Sequence, residues 1–403
     1  MPLRPPAGFI RPGFDPLKNP DAPTIGTVTG GNTQVSVAFT PPANVGGSAI
    51  SAYYAVSNPD RITASGASSP VTVTGLTNGT PYTFQVWALN TYGPGPFSAA
   101  SGSVTPDVLT RGVFGGGDSN TNVMDYINIA STGNAIDFGD LLSAVRQATA
   151  CASSTRGIFA GGDTGGSNAS NVIQYITIAS TGNAIDFGDI SRAGYSGIGS
   201  CSSETRGIFS GGITLNFGAA VSNINYIEIA STGNTISFGN LTNAVRNNAG
   251  CSSATRGISA GGIAPSYTNT IEYVTIASTG NATDFGDLTV ARDYLQGCSN
   301  STRGLFAGGD NSSGGPFNTI DYITIASTGN AIDFGDLNSE SAGRYTVGAC
   351  ASTTRGVFTG GGGSEARNLG FVTISTTGNA ALFGNLSANK NFYAGLSNCH
   401  GGV

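Results

Sequence analysis

Apolar and polar positions alternate in short runs along almost the whole chain. "TQVSVAFTPP" puts Val35, Val37 and Phe39 on one face of a strand, and "SAISAYYAVS" and "TPYTFQVWALN" repeat the alternation. Turn residues interrupt residues 21–107 about every ten positions, the spacing of a β-sandwich. Beyond residue 110 the runs are strand-length and rich in β-branched residues, with Gly at their ends, as in "TRGIFAGG" and "VIQYITIAS". No segment holds a 3.6-residue apolar period for any length, so the chain is expected to be all-β.

The second stretch repeats itself. Arg-Gly recurs at Arg111, Arg156, Arg206, Arg256, Arg303 and Arg355, a period of 45 to 52 residues, and such periods mark stacked blades or repeats. "ASTGNAIDFGD" occurs unchanged at Ala130–Asp140, Ala179–Asp189 and Ala326–Asp336, and three altered copies complete the set. The string reads as a hairpin and a strand. Gly in "TGN" would supply the positive φ of a tight turn. Ile and Phe would enter a packed face while Asp leaves it.

The spacings assign the connections to faces. The third-strand aromatic precedes the Phe of "FG" by 12 residues in all six copies, and Cys precedes Arg by 5 wherever Arg follows. Arg to the third-strand aromatic varies from 15 to 20, and Phe to Cys from 13 to 16. On an up-and-down four-stranded blade the constant connections share one face and the variable ones share the other. The first Arg-Gly has no Cys strand before it, and Cys399 has no Arg-Gly after it. Ring closure explains both: the strand near "YAGLSNCH" would complete the blade opened by residues 111–142, leaving no open end.

Composition places a boundary near residue 107, since 15 of the 17 prolines precede it. Three regions are expected: a Pro-rich extended arm over 1–20, a sandwich over 21–107 and a repeat domain over 108–403. A net charge of −6 speaks against a nucleic-acid partner, and no apolar run approaches the ~20 residues of a membrane-spanning helix. "MPLRPPAGFIRPGF" lacks the apolar core of a secretory signal.

Candidate chemistry is sparse. The six Cys lack C-x-x-C spacing and His400 is the sole histidine, so a zinc site is not expected; the thiols read as small buried residues of a chain folded under reducing conditions. Arg of Arg-Gly and Asp of "FGD" could form ion pairs, as structural links or solvated charges. A carboxylate ring for Ca²⁺ would be broken, since Asp137 is replaced by Ser237 and Leu382 in two copies. A glycosidase needs only two carboxylates, but nothing singles out a pair.

Two family resemblances follow. "VTVTGLTNGTPYTFQVWALNTYGPGPFSAASGSVTP" resembles the C-terminal half of a fibronectin type III domain; Leu76 and Tyr82 match its tyrosine corner, while Phe39 stands where the family usually has Trp. The GG pair followed by two spaced aromatics resembles the kelch repeat of β-propellers, with Phe138, Phe187, Phe238, Phe285, Phe334 and Phe383 in place of the usual Trp. Together they imply a fibronectin type III-like sandwich followed by a six-bladed kelch-like β-propeller closed by the C-terminal strand. The "MPLRPP.GF" start and "TRG.FAGG…YITIASTGNA.DFGDL" repeats also resemble virion proteins of bacterial viruses, especially those of cyanobacteria.

That resemblance implies a virion component, assembled in the host cytoplasm and exposed on the particle in multiple copies. The leading expectation is a tail-fibre-like appendage. Arg4, Phe9, Ile10, Arg11, Phe14 and Leu17 of the arm would anchor it to other virion proteins. Aromatics on the variable face, Tyr195, Phe217, Tyr267, Tyr294, Phe317 and Tyr345, would meet host-surface glycans. No catalytic residue, metal or cofactor is expected. The alternatives are a capsid or tail decoration protein with a purely structural role and, less favoured, a polysaccharide-degrading enzyme.

Overall fold

A computed structural model describes residues 17–106, 110–117, 121–165, 169–191, 197–214, 218–263, 265–312, 317–337, 348–359, 367–388 and 391–402. The chain forms two compact units, residues 1–109 and 110–403. Every regular element among the described residues is a β-strand.

The first unit is a two-sheet sandwich. One sheet orders Thr24–Gly31, Gln34–Thr40 and Val71–Thr74; the other orders Thr63–Gly66, Ala52–Asn58, Thr83–Asn90 and Gly93–Pro94. Alternation does what the sequence implies: Val35, Val37, Tyr53, Ala55, Val73, Phe84 and Val86 all turn into one buried core. The tyrosine corner is formed. The Thr77 amide donates to Tyr82 Oη (3.2 Å), and that hydroxyl donates to Asp60 Oδ2 (2.7 Å). The expected arm does not reach residue 20. Lys18 N donates to Gly46 O (3.0 Å), Asn19 Nδ2 donates to Pro94 O (2.8 Å), and Pro20 is buried, so residues 18–20 belong to the sandwich.

The second unit contains six four-stranded antiparallel sheets among the described residues, consistent with a propeller. The second sheet is typical: Thr149–Ala152, Arg156–Ala160, Val172–Thr177 and Ile185–Asp189 pair in chain order. The third to sixth sheets begin at Gly199, Ala249, Gln296 and Ala349 and repeat that order. The first sheet differs, because Arg111–Gly115, Val123–Asn128 and Ile136–Asp140 take their missing strand from Ala394–Ser397. First strands of successive sheets lie side by side, and Ala394–Ser397 lies beside both Ala349–Ala351 and Thr149–Ala152.

Two expectations about the repeated string need correction. Its Gly is nearly extended, with φ of 154–157° at Gly182, Gly233, Gly329 and Gly378, so "STGN" makes no tight hairpin. The segment instead crosses to the preceding sheet and docks on its outer strand. Gly182 N donates to Phe138 O (2.8 Å), Ala184 N to Asp140 O (2.8 Å), and Asp140 N to Asn183 Oδ1 (3.0 Å). The same bonds join the two ends of the array: Gly133 N to Phe383 O (2.9 Å) and Ala135 N to Asn385 O (2.8 Å). Each outer edge, which would otherwise offer free amides to other chains, is therefore covered.

The second correction concerns Ile. Ile136, Ile185, Ile236 and Ile332 are more than half exposed, and Ala381, at the same place in the sixth sheet, is exposed too. In every sheet the register skips the following Phe, as between Asp137 and Gly139. That bulge shifts the alternation by one residue, so the inward pair is Ala184 and Phe187 rather than Ile185 and Phe187. The Phe meets the third-strand aromatic edge-on, at 5.9–6.1 Å. The glycine after it must be glycine: φ is 138° at Gly139, and a Cβ there would lie 2.5 Å from Gly182 O.

Candidate functional site

The residues that recur in every repeat hold sheets together. Each Arg of Arg-Gly lies over its own third-strand ring, 4.3–4.9 Å from the centroid. Its Nη1 then donates to a carbonyl of the next sheet: Arg111 to Ile178 O, Arg156 to Ile229 O and Arg256 to Ile325 O, each at 2.8 Å. Arg355 completes the series on Ala130 O (2.9 Å), in the first sheet. Half-buried guanidinium on an aromatic face is worth ~0.5–2 kcal/mol, so six such contacts form a substantial latch. No ion pair among the described residues joins one of these Arg to an "FGD" Asp; Arg206 alone of the six pairs, with Glu228 (2.8 Å).

The cysteines serve the same packing. A Cβ on Gly207, Gly257, Gly304, Gly356 or Gly112 would meet the Sγ of Cys151, Cys201, Cys251, Cys298 or Cys350 within 2.4–3.0 Å. Each thiol thus fills the space that the next sheet's Arg-Gly glycine leaves open. The expected sixth member is displaced: Leu396, not Cys399, occupies the Cys register opposite Val113 and packs toward Gly157. All six cysteines are free, and burial drives their thiols upward, that of Cys201 to about 12, so they stay protonated and unreactive.

The first strands enclose a small cavity of about 50 Å³ lined by Cys and Ser residues. Residues 398–402 fold across its end on the constant-connection side. Gly402 N donates to His400 Nδ1 (3.0 Å), so the ring proton sits on Nε2, which donates to Ala152 O (3.0 Å). Gly401 N donates to Ser299 O (2.9 Å). Burial pushes the imidazole below its ordinary range, partly offset by the Ala152 carbonyl.

The variable-connection end carries a collar among the described residues. Gln147, Gly197, Asn247, Tyr294 and Phe392, each two residues before a first strand, all have φ of 52–64°. That left-handed conformation costs ~1–2 kcal/mol for a residue with a side chain, but it aims each amide at its neighbour. Gln147 N reaches Phe392 O (3.3 Å), Asn247 N reaches Gly197 O (2.7 Å) and Tyr294 N reaches Asn247 O (3.1 Å). Gln147 Nε2 donates to Tyr294 Oη (3.4 Å), and the Tyr294 ring stands edge-on to Phe392 at 5.7 Å.

Of the expected ligand face, Tyr294 is therefore a cap and half-buried, held on both sides. Tyr267 and Phe317 are also half-buried, Tyr267 in the fourth sheet's repeat and Phe317 in the fifth's. Tyr195, Phe217 and Tyr345 lie outside the described residues, as do Arg4, Phe9, Ile10, Arg11 and Phe14 of the arm; Leu17 is described and 63% exposed. The Gln147–Phe392 collar was missed because its members share a backbone conformation rather than a side-chain type.

The repeats differ just outside the collar, where in three of them an isolated bridge joins the residue five before Cys to the residue after the GG pair. In the second sheet Arg146 meets Asp163, and Nη2 and Nε donate to Asp163 Oδ2 at 2.7 and 2.9 Å. In the fourth sheet the same bridge holds Arg246 and Ile263, and in the fifth Asp293 and Asp310. Burial first, and Asp310 in addition, raise the Asp293 carboxyl to about 6, while the Asn247 amide and Arg246 oppose the shift. Beside Arg246 runs a groove of about 420 Å³, bordered by Gly218, Ala220, Asn243, Ile263 and Pro265. Among the described residues, no three of His, Cys, Asp or Glu gather as a metal site would require.

Residues 21–103 match the fibronectin type III domain family. No curated protein matches the chain.

Proposed function

We propose that this chain is a virion appendage whose six sheets close into a kelch-like propeller that binds host-surface glycans through its variable end, without chemistry of its own. One observation carries the binding reading. Repeats that share their latches hold Arg/Asp, Arg/Ile and Asp/Asp at one equivalent bridge, and the Arg/Ile bridge borders a groove of the size that holds small ligands. A scaffold of constant latches with a diversified end is the arrangement in which loops carry recognition. Closure is supported by the Gly133–Phe383 bond, the Arg355 latch and the strand lent by residues 394–397. The virion assignment rests on the resemblance of the repeats and of the "MPLRPP.GF" start.

The test is retention of the purified full chain on immobilised bacterial surface polysaccharides. Selective retention, with labelled antibody locating the chain at the tail tip, supports the appendage. A regular lattice on the capsid and no retention would instead favour the decoration reading. Release of shortened sugars would bring back the enzyme.

Attachment makes its own prediction, with the arm now ending at residue 16. Deleting residues 2–16 should leave both units folded, because the contacts of residues 18–20 remain, yet particles should lack the protein. Normal incorporation of that deletion would rule out the arm as the anchor and point to the sandwich.

A further inference from the structure

We propose that the groove beside Arg246 takes a carboxylate-bearing sugar, a uronic-acid type of residue, with the Arg246 guanidinium as its anchor. This rests on the glycan-binding reading of the same end and narrows it to a ligand class.

The inference comes from comparing two copies of one structural position. Arg146 and Arg246 both stand five residues before their Cys, and each pairs by backbone with the residue that follows the GG pair. Around Arg146 that residue is Asp163, whose carboxylate is nearly fully buried and takes both guanidinium bonds. Around Arg246 it is Ile263, whose side chain offers no acceptor. Among the described residues, Arg246 enters no ion pair and its guanidinium makes no side-chain hydrogen bond. Asp293 feels its charge from the neighbouring sheet but is not within pairing distance, and its Oδ2 is held by Asn247 Nδ2 at 2.9 Å.

Where the sister position buries a carboxylate, this one borders a groove of about 420 Å³. A half-buried guanidinium with five donors and no acceptor is a strong site for a planar anion. The group absent relative to Asp163 is a carboxylate, so the ligand class proposed is sugar acids, and dextran sulfate is the competitor that tests it. Gly218 and Ala220 border the groove with little or no side chain, and Asn243 offers an amide that could meet hydroxyl groups.

The experiment measures retention of the full chain on oligogalacturonate, neutral dextran oligosaccharide, dextran sulfate and polyglutamate. Oligogalacturonate should be held about tenfold more tightly than the neutral sugar. Arg246→Gln should remove that preference. Ile263→Asp, which rebuilds the sister pair within the protein, should remove it equally while the melting temperature holds or rises. Unchanged oligogalacturonate retention by both variants overturns the proposal, as does equal retention of dextran sulfate or polyglutamate. Retention of neutral sugars alone overturns it but leaves the glycan-binding reading standing. Retention of no sugar at all overturns both.

Discussion

Removing residues 391–403 should abolish cooperative unfolding of the repeat unit and leave an aggregating chain. The deletion takes away the first strand of the first sheet, Ala394–Ser397, and exposes the edge of Arg111–Gly115. Tyr393, Ala394 and Leu396 leave their buried sites, and Phe114 and Val113 lose their cover. Burial of a large apolar side chain stabilises by ~1.5–3 kcal/mol, and several are lost at once. Links to both flanking sheets go too: Ser397 Oγ donates to Ala351 O (2.6 Å), and His400 reaches Ala152. The sum is comparable to the ~5–15 kcal/mol that holds a whole domain. Thermal unfolding followed by circular dichroism, with light scattering for aggregation, gives the answer. A monomeric truncated chain melting where the intact one does would show that residues 394–397 do not close the first sheet. Leu396→Ala should lie between the two, since it opens a cavity against Gly157 without removing the strand.

What could be read from the sequence was whatever depends on local period and chain arithmetic. Alternation identified the sandwich core, because Val35, Val37 and Phe39 share one face whatever lies opposite them. The phase mismatch between Arg111 and Cys399 located the borrowed strand, although the residue in the Cys register proved to be Leu396. What escaped depends on neighbours remote in sequence. A bulge at Phe138 reversed the facing of Ile136, and nothing in "AIDFGD" announces an extra residue. "STGN" looked like a turn because turns and inter-sheet docking both favour small polar residues. Arg was weighed against Asp as an ion-pair partner, whereas its real partners are its own sheet's ring and the next sheet's carbonyl. Arg246 stayed hidden for a related reason: it matters only beside Arg146, and the two become comparable once both bridges are in view.

Asp321→Asn should be among the most damaging single substitutions in the protein, costing about 3–5 kcal/mol and lowering the melting temperature by roughly 6–20 °C. Asp321 and Arg292 are both fully buried and meet at 2.9 Å. Asp321 also accepts from Thr289 N (3.2 Å) and Thr289 Oγ1 (2.6 Å), which fastens the connection from the fourth sheet onto the fifth. Burial pushes the Arg292 guanidinium below its ordinary range and the Asp321 charge opposes that; without the carboxylate, a buried cation would remain with only carbonyl partners such as Phe306 O. The pair itself is a costly arrangement, since Arg292 Nε is buried with no acceptor at all. The second sheet solves the same problem without charge. There Val145 stands in the place of Arg292 and Gln174 in that of Asp321, and Gln174 Oε1 accepts from Leu142 N at 2.7 Å. Transplanting that solution, as Arg292→Val with Asp321→Gln, should recover most of the stability lost by Asp321→Asn and could exceed the parent, because two ions no longer leave water. Thermal melts of the single and double variants distinguish the cases. A double variant as unstable as the single one would mean that the pair holds the fifth sheet by a geometry that the neutral partners cannot reproduce.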